Sequence, residues 1–392
     1  PVAAVSAEVY RLVASPTLPA IPLLTAAGYI LAEGGASARL VRFFRALFGW
    51  MPGGIAVMVA AVCALFTTFT GGSGVTIIAL GGLVYPILRD DGYPEGFSLG
   101  LVTAAGSLGL LFPPSLPVIL YSVVASVPAD SLYLAGFLPG LLLVVLVAAW
   151  GVRQGLRLDA AGRKRPPFHL RELAVSFWRA KWELALPLLV IGLFASGFAS
   201  MVEASAAACA YAAIIGCLVT RDIHPFRQLP GVLVKAGALM GAVLLLLSVA
   251  MGLTSWLVDA QIPSALLESV KTHVSSPLVF LLVLNLILLV LGSVLEIYSA
   301  IVILAPLVAP MGAAFGIDPI HLGVIFLANL ELGFLFPPVG LNLFLSSSRF
   351  GIPLTKLYRH AVPYLLILGA GVLLITYVPA ISTGVLTLLG RR

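Results

Sequence analysis

Of the 392 residues, 60% are hydrophobic and only 10% charged, and the mean hydropathy is +1.11. A soluble chain carries about 25% charged residues, so a protein facing water on all sides is excluded and lipid is the solvent over most of the surface. The net charge of +6 points to membrane topology rather than nucleic acid, because the basic residues sit between apolar runs.

Apolar runs fall at about 16–33, 52–70, 75–88, 95–126, 131–150, 184–201, 204–220, 231–257, 276–294, 297–312, 319–348 and 361–380. No signal peptide is visible at the start of the sequence. Since the chain begins at Pro1, a preceding piece as long as a helix is expected. A crossing helix needs roughly 20 apolar residues. The short runs pair up instead, 52–70 with 75–88 and 276–294 with 297–312, across tight breaks at Thr70–Gly74 and Gly292–Glu296. They read as re-entrant hairpins. The hydrophilic stretch 151–183 holds eight Lys and Arg residues against Asp159, Glu172 and Glu183, and reads as a cytoplasmic loop. Asp90 and Asp91 read as solvated in a cytoplasmic turn, and Glu203 as a turn or cap residue. Cys63, Cys209 and Cys217 lie in apolar runs and read as packing residues.

The phrase Leu-Gly-Leu-Leu-Phe-Pro-Pro at 108–114 returns as Leu-Gly-Phe-Leu-Phe-Pro-Pro at 332–338, an offset of 224. The same offset carries Pro86 to Pro310, Gly92 to Gly316, Ser122 to Ser346, Pro139 to Pro363, and the segment Arg39–Leu47 to Pro263–Lys271. This is an internal repeat. Counting crossings from 151–183, with Arg39, Arg42, Arg45, Arg349, Lys356 and Arg359 inside, turns the two halves opposite ways; only Arg391 and Arg392 fall on the wrong side. Inverted repeats with broken helices mark secondary transporters.

Proline lacks an N–H and clashes with the preceding turn, so each doublet interrupts a crossing helix. Unpaired backbone groups are tolerable there only when buried in protein or lining a cavity. Their carbonyls suit a cation such as Na⁺. The predicted sites, one per half, comprise Gly72 and Ser73 facing Gly106, Ser107, Gly109 and Pro113, then Gly292 and Glu296 facing Asn329, Glu331, Gly333 and Pro337. Thr70 and Thr103 can help. Ser73, Asn342 and Ser346 are candidates for the substrate path. Glycine and proline also ease helix packing in membranes; a tip and a break repeated at one offset favour the functional reading. A charge at the bilayer centre costs at least roughly 2.5–3.5 kcal/mol, so Glu296 and Glu331 are expected to face a site or a helix dipole. No phosphate loop, H-x-x-x-H pair or G-x-S-x-G motif occurs, so an enzyme is not expected.

The chain resembles the large membrane subunit of TRAP transporters, the tripartite ATP-independent periplasmic carriers of the ion-transporter superfamily. The matching residues are Gly71-Gly72-Ser73, Asp91-Gly92-Tyr93, Gly109–Ser115, Leu134–Gly140, Glu203-Ala204, Gly316–Pro319, Asn329–Gly333 and Pro337–Phe344. The resemblance implies an all-α polytopic carrier of elevator type in a bacterial or archaeal cytoplasmic (inner) membrane. It also implies Na⁺ coupling, a small four-helix membrane subunit, a periplasmic substrate-binding protein, and an organic acid such as a C4-dicarboxylate, keto acid or sialic acid. The expected division is a scaffold helix and basic arm at 1–50, core repeat 1 at 51–150, linker and scaffold at 151–275, core repeat 2 at 276–352, and a C-terminal arm and helix at 353–392. A one-component Na⁺/dicarboxylate or citrate carrier and an ion channel are the alternative readings.

Overall fold

The computed structural model describes Tyr10, residues 18–163, 166–195, 198–261 and 276–388, and Ala265, Glu268, Val270, Thr272–Val274 and Gly390. The segment expected at Pro263–Lys271 lies largely outside these residues, as do Arg391 and Arg392. All regular structure in the described residues is helical. In chain order the helices are α1 (Ala20–Glu33), α2 (Ala36–Phe48), α3 (Gly54–Thr70), α4 (Ser73–Asp90), α5 (Glu95–Ala105), α6 (Leu116–Ala125), α7 (Ala129–Ala160) and α8 (Leu170–Ala195). Then come α9 (Met201–Ile214, prolonged by a π-turn at Ile215–Val219), α10 (Leu229–Asp259), α11 (Pro277–Val294), α12 (Ile297–Ala314), α13 (Pro319–Gly333), α14 (Leu341–Phe350), α15 (Leu354–Tyr377) and α16 (Ala380–Leu388). Six of the described helical segments are long and apolar enough to cross a membrane, by length and composition.

Side chains explain where helices begin. Asp318 caps α13 by accepting from the N–H groups of Ile320 and His321 at 2.9 and 3.1 Å, with Pro319 at the first helical position. There the missing N–H costs nothing. Glu203 closes a capping box with Ser200, the cap role its position suggested.

The repeat is visible in the boundaries. Helix α4 spans 73–90 and α12 spans 297–314, both ends shifted by 224. Both doublets interrupt a helix, between α5 and α6 and between α13 and α14, and both Pro-Pro peptides are cis. Past the doublets the register slips by one residue. Ser122 Oγ donates to Val127 O at 2.6 Å, and its counterpart is Ser347 to Ile352 O at 2.7 Å, so Ser122 matches Ser347 rather than Ser346. The halves also interlock. Helix α6 packs on α12, and α14 packs on α4; each second half-helix leans on the other copy's hairpin. Helices α1, α8, α9 and α10 form a second group, with α1 packed on both α9 and α10.

Two sequence expectations are corrected. The stretch 151–183 is mostly helix, because α7 runs on to Ala160 and α8 starts at Leu170. Lys, Arg and Glu are good helix formers, so these helices outlast their apolar cores. Asp91 is not free in solvent: its Oδ2 lies 2.7 Å from Nη1 of Arg163, whose Nη2 lies 3.0 Å from Asp159 Oδ1. Burial pushes the Asp91 carboxyl above its usual range, against the pull of Arg163.

Candidate functional site

The first tip turns at Gly71, whose φ of +66° is left-handed and whose Cβ, if present, would lie 2.5 Å from Leu116 Cδ1. Glycine alone takes that corner without strain or clash. Gly72 is extended, and Ser73 opens α4 at 3% exposure.

Threonines bind this tip to the first break. Thr67 Oγ1 lies 2.8 Å from Gly106 O and 2.7 Å from Thr76 Oγ1. Thr68 Oγ1 lies 2.8 Å from Ala64 O and 3.2 Å from Gly109 O. Thr70 Oγ1 reaches Gly72 O at 3.3 Å. The backbones nearly touch: a Cβ on Gly109 would fall 2.1 Å from Ala64 O and 2.6 Å from Thr68 N. The second half repeats the contact, with a Cβ on Gly333 falling 2.7 Å from Gly292 C. Gly109 and Gly333, like Thr68 and Gly292, are related by the 224-residue offset.

Hydrogen bonds then join the halves. Tyr298 OH donates to Gly71 O at 2.8 Å. Asn342 Nδ2 donates to Thr103 O at 3.1 Å and Ser107 Oγ at 3.3 Å. Thr103 Oγ1 donates to Ser346 Oγ at 2.9 Å. Gly340 N donates to Ser293 O at 2.8 Å, tying the second break to the second tip. Asn342 is fully buried, and among the described residues its Oδ1 has no hydrogen-bond partner. A buried acceptor without a donor is expensive unless a proton donor or cation reaches it.

Most predicted residues are therefore gathered. Gly72, Ser73, Gly106, Ser107, Gly109, Asn342 and Ser346 belong to one connected cluster, and Gly292, Gly333 and Glu296 surround the second tip. Glu296 caps α12 by accepting from Tyr298 N at 2.9 Å, so it does face a helix dipole. Asn329 is turned to α11, with Nδ2 2.5 Å from Asn285 Oδ1. Glu331 is 2% exposed, and among the described residues neither carboxyl oxygen has a hydrogen-bond partner, so its side chain is not tied to the other candidates. Pro113 instead lines two apolar cavities of about 620 and 290 Å³, shared with Phe137 and Ile191. Pro337 is half-buried. Sequence reasoning missed Thr67, Thr76, Tyr298 and Asn285. The run of threonines at 67, 68 and 70 in an otherwise apolar helix was the available signal for the first.

The donor set is hydroxyl, amide and backbone oxygen, the hard ligands of an alkali or alkaline-earth cation. Among the described residues no group of three His, Cys, Asp or Glu could hold a transition metal.

The family described as "Tripartite ATP-independent periplasmic transporter, DctM component" matches residues 1–381. The C4-dicarboxylate TRAP transporter large permease protein DctM of Pseudomonas aeruginosa is 37% identical over 376 residues, covering 95% of this chain and 87% of the relative. The isethionate TRAP transporter permease protein DctMQ of Oleidesulfovibrio alaskensis is 33% identical over 362 residues, 92% of this chain and 57% of that one. In fold, the chain is similar to the crystal structure of the Alcanivorax borkumensis YdaH transporter, with a TM-score of 0.68 at 19% identity over 93% of this chain and 85% of that one. A multi-pass membrane protein whose relatives are transporter permeases, the chain belongs to the DctM family, the large permease subunit of TRAP transporters.

Proposed function

We propose that this subunit carries an organic anion across the bacterial or archaeal inner membrane, driven by Na⁺ moving down its gradient. The observation that carries the reading is the meeting of two interrupted helices with two hairpin tips, the tips joined by Tyr298 and Gly71 and the breaks by Asn342 and Ser107. In this reading α3–α4 and α11–α12 are re-entrant hairpins of opposite orientation. The two core repeats (51–150 and 276–352) move as one body against a scaffold of 1–50 and 151–275, with 353–392 as an arm and helix. Na⁺ is cargo, taken by oxygens around Ser73 and Ser107, with Asn342 reaching in from the other half, at one site and around Gly292, Glu296 and Gly333 at the second. Each sodium crossing 100 mV supplies about 2.3 kcal/mol. The word "tripartite" in the family's description supports two further partners, a small membrane subunit and a periplasmic binding protein. The name of the fused relative, DctMQ, supports the first.

Proteoliposomes test it. The chain with its small subunit and cognate binding protein should accumulate a labelled dicarboxylate only under an inward sodium gradient. Accumulation that ignores sodium, or proceeds equally without the binding protein, rejects the proposal.

A further inference from the structure

Three arginines follow one another along α2 at three-residue spacing. Arg39 is held by Glu183 and Asp222, at 2.5 and 2.6 Å. Arg42 forms a two-pronged pair with Glu172, Nε to Oε1 at 2.7 Å and Nη2 to Oε2 at 3.1 Å. Arg45 differs. It is exposed, and among the described residues no carboxylate lies within ion-pair distance; Asp91 acts on it only from farther away. Arg45 lines a cavity of about 360 Å³ together with Arg42, Trp50, Pro166, His169 and Glu172. The Arg42–Glu172 pair is neutral as a unit, so among the described residues the standing charge of the lining is that of Arg45. In sequence, Lys164 and Arg165 directly precede Pro166. Ala46, Gly49, Trp50, Pro166 and Pro167 make the rest of the lining largely apolar. The Trp50 ring stands edge-on to Phe168 at 5.8 Å, and its N–H is already donated to Leu47 O at 2.9 Å, so the indole offers a face rather than a donor.

We infer that this cavity binds the phosphate headgroup of an anionic phospholipid in the cytoplasmic leaflet. The inference rests on the orientation proposed above and not on the identity of the solute. A planar guanidinium matches phosphate oxygens in two-pronged fashion. Tryptophan is enriched where lipid meets water. An amphipathic helix with a basic polar face, as α2 is, lies in that boundary, and the cytoplasmic leaflet carries the negative lipids. Helix α2 packs on α3, the first arm of the first hairpin, and on α8. A lipid seated at Arg45 therefore braces the root of the hairpin against the second group of helices.

The experiment places the purified full chain in phosphatidylcholine nanodiscs with trace photoactivatable phosphatidylglycerol, or with photoactivatable phosphatidylcholine as the neutral probe. After illumination, the labelled peptides are mapped. Phosphatidylglycerol should label 42–50 and 166–172. Labelling should fall about five-fold in Arg45→Gln, the worth of one basic residue near an anionic surface. It should persist in Arg153→Gln, whose guanidinium sits over Trp150 at 5.0 Å, and in excess inorganic phosphate. Equal labelling by phosphatidylcholine, or undiminished labelling of Arg45→Gln, overturns the inference. Displacement by phosphate also overturns it, by identifying a free-anion site. The contrast between the two lipids uses the unmodified protein, so it decides even if Arg45→Gln does not fold. A failed uptake assay leaves this labelling unaffected, and failed labelling leaves the uptake reading standing.

Discussion

Replacing Arg39 with Leu removes the one cation that two carboxylates share. Glu183 is 1% exposed, and among the described residues its Oε2 has no hydrogen-bond partner; without Arg39 the whole carboxylate is stranded. Removing one partner of a buried pair costs about 3–5 kcal/mol. Asp222 is partly solvated, with a side-chain exposure of 20%, and its share is at most about 1 kcal/mol. The single variant should therefore lose about 3–6 kcal/mol, read as lowered resistance to denaturant in mixed micelles. Arg39→Leu combined with Glu183→Leu should recover most of the loss, because replacing both charges by apolar groups is close to neutral. The pH response gives a second reading. Burial works against the charged form of Asp222, but the hydrogen-bonded Arg39 outweighs it and holds the carboxyl below its usual range. A depressed carboxyl stabilises the fold fully above its unfolded value, about 3.9, and that contribution is lost as pH falls through the lower, folded-state value. The wild type should thus lose this part of its stability only in acid below about pH 4, and Arg39→Leu should show less of that loss. A single variant within about 1 kcal/mol of wild type, or a double variant as weak as the single, refutes the reasoning.

Gly109→Ala and Gly333→Ala each force a methyl into backbone of the neighbouring helix; each should cost about 1–3 kcal/mol and slow uptake, and wild-type thermal unfolding in both would contradict the close approach. Tyr298→Phe deletes the hydrogen bond between the tips, worth about 0.5–1.5 kcal/mol. The sodium half-saturation of uptake should shift about two- to twelve-fold, and an unchanged value separates the tips from the ion site. Ser73→Trp should abolish sodium-dependent uptake while expression holds; normal uptake counts against the first site. Glu331→Gln should alter sodium affinity, and if affinity is unchanged the residue belongs to the packing alone.

What the sequence made legible was local. A proline doublet carries its helix break in its own covalent structure, and Gly71 announces a left-handed corner, so both tips and both breaks were found in place. Partners distant along the chain were not legible. Nothing beside Thr67 names Gly106, nothing beside Tyr298 names Gly71, and Asp91 looked solvated because Arg163 lies 72 residues away. Hydropathy marks where lipid ends rather than where a helix ends. That is why α7 and α8 run unannounced into the charged stretch, where long basic side chains can reach water from a continuing helix.

The interlocked halves bear on how the chain is made. The bonds between Tyr298 and Gly71, Asn342 and Thr103, and Ser346 and Thr103 span 227, 239 and 243 residues. At roughly 5–20 residues per second, the first half emerges from the ribosome some 10–50 s before its polar partners exist. For that interval Gly71 O and Thr103 O lack the donors that the second half brings, whereas Gly106 O and Gly109 O already have Thr67 and Thr68. A polar group left unpaired is costly, so those two acceptors depend on other donors until the second half is made.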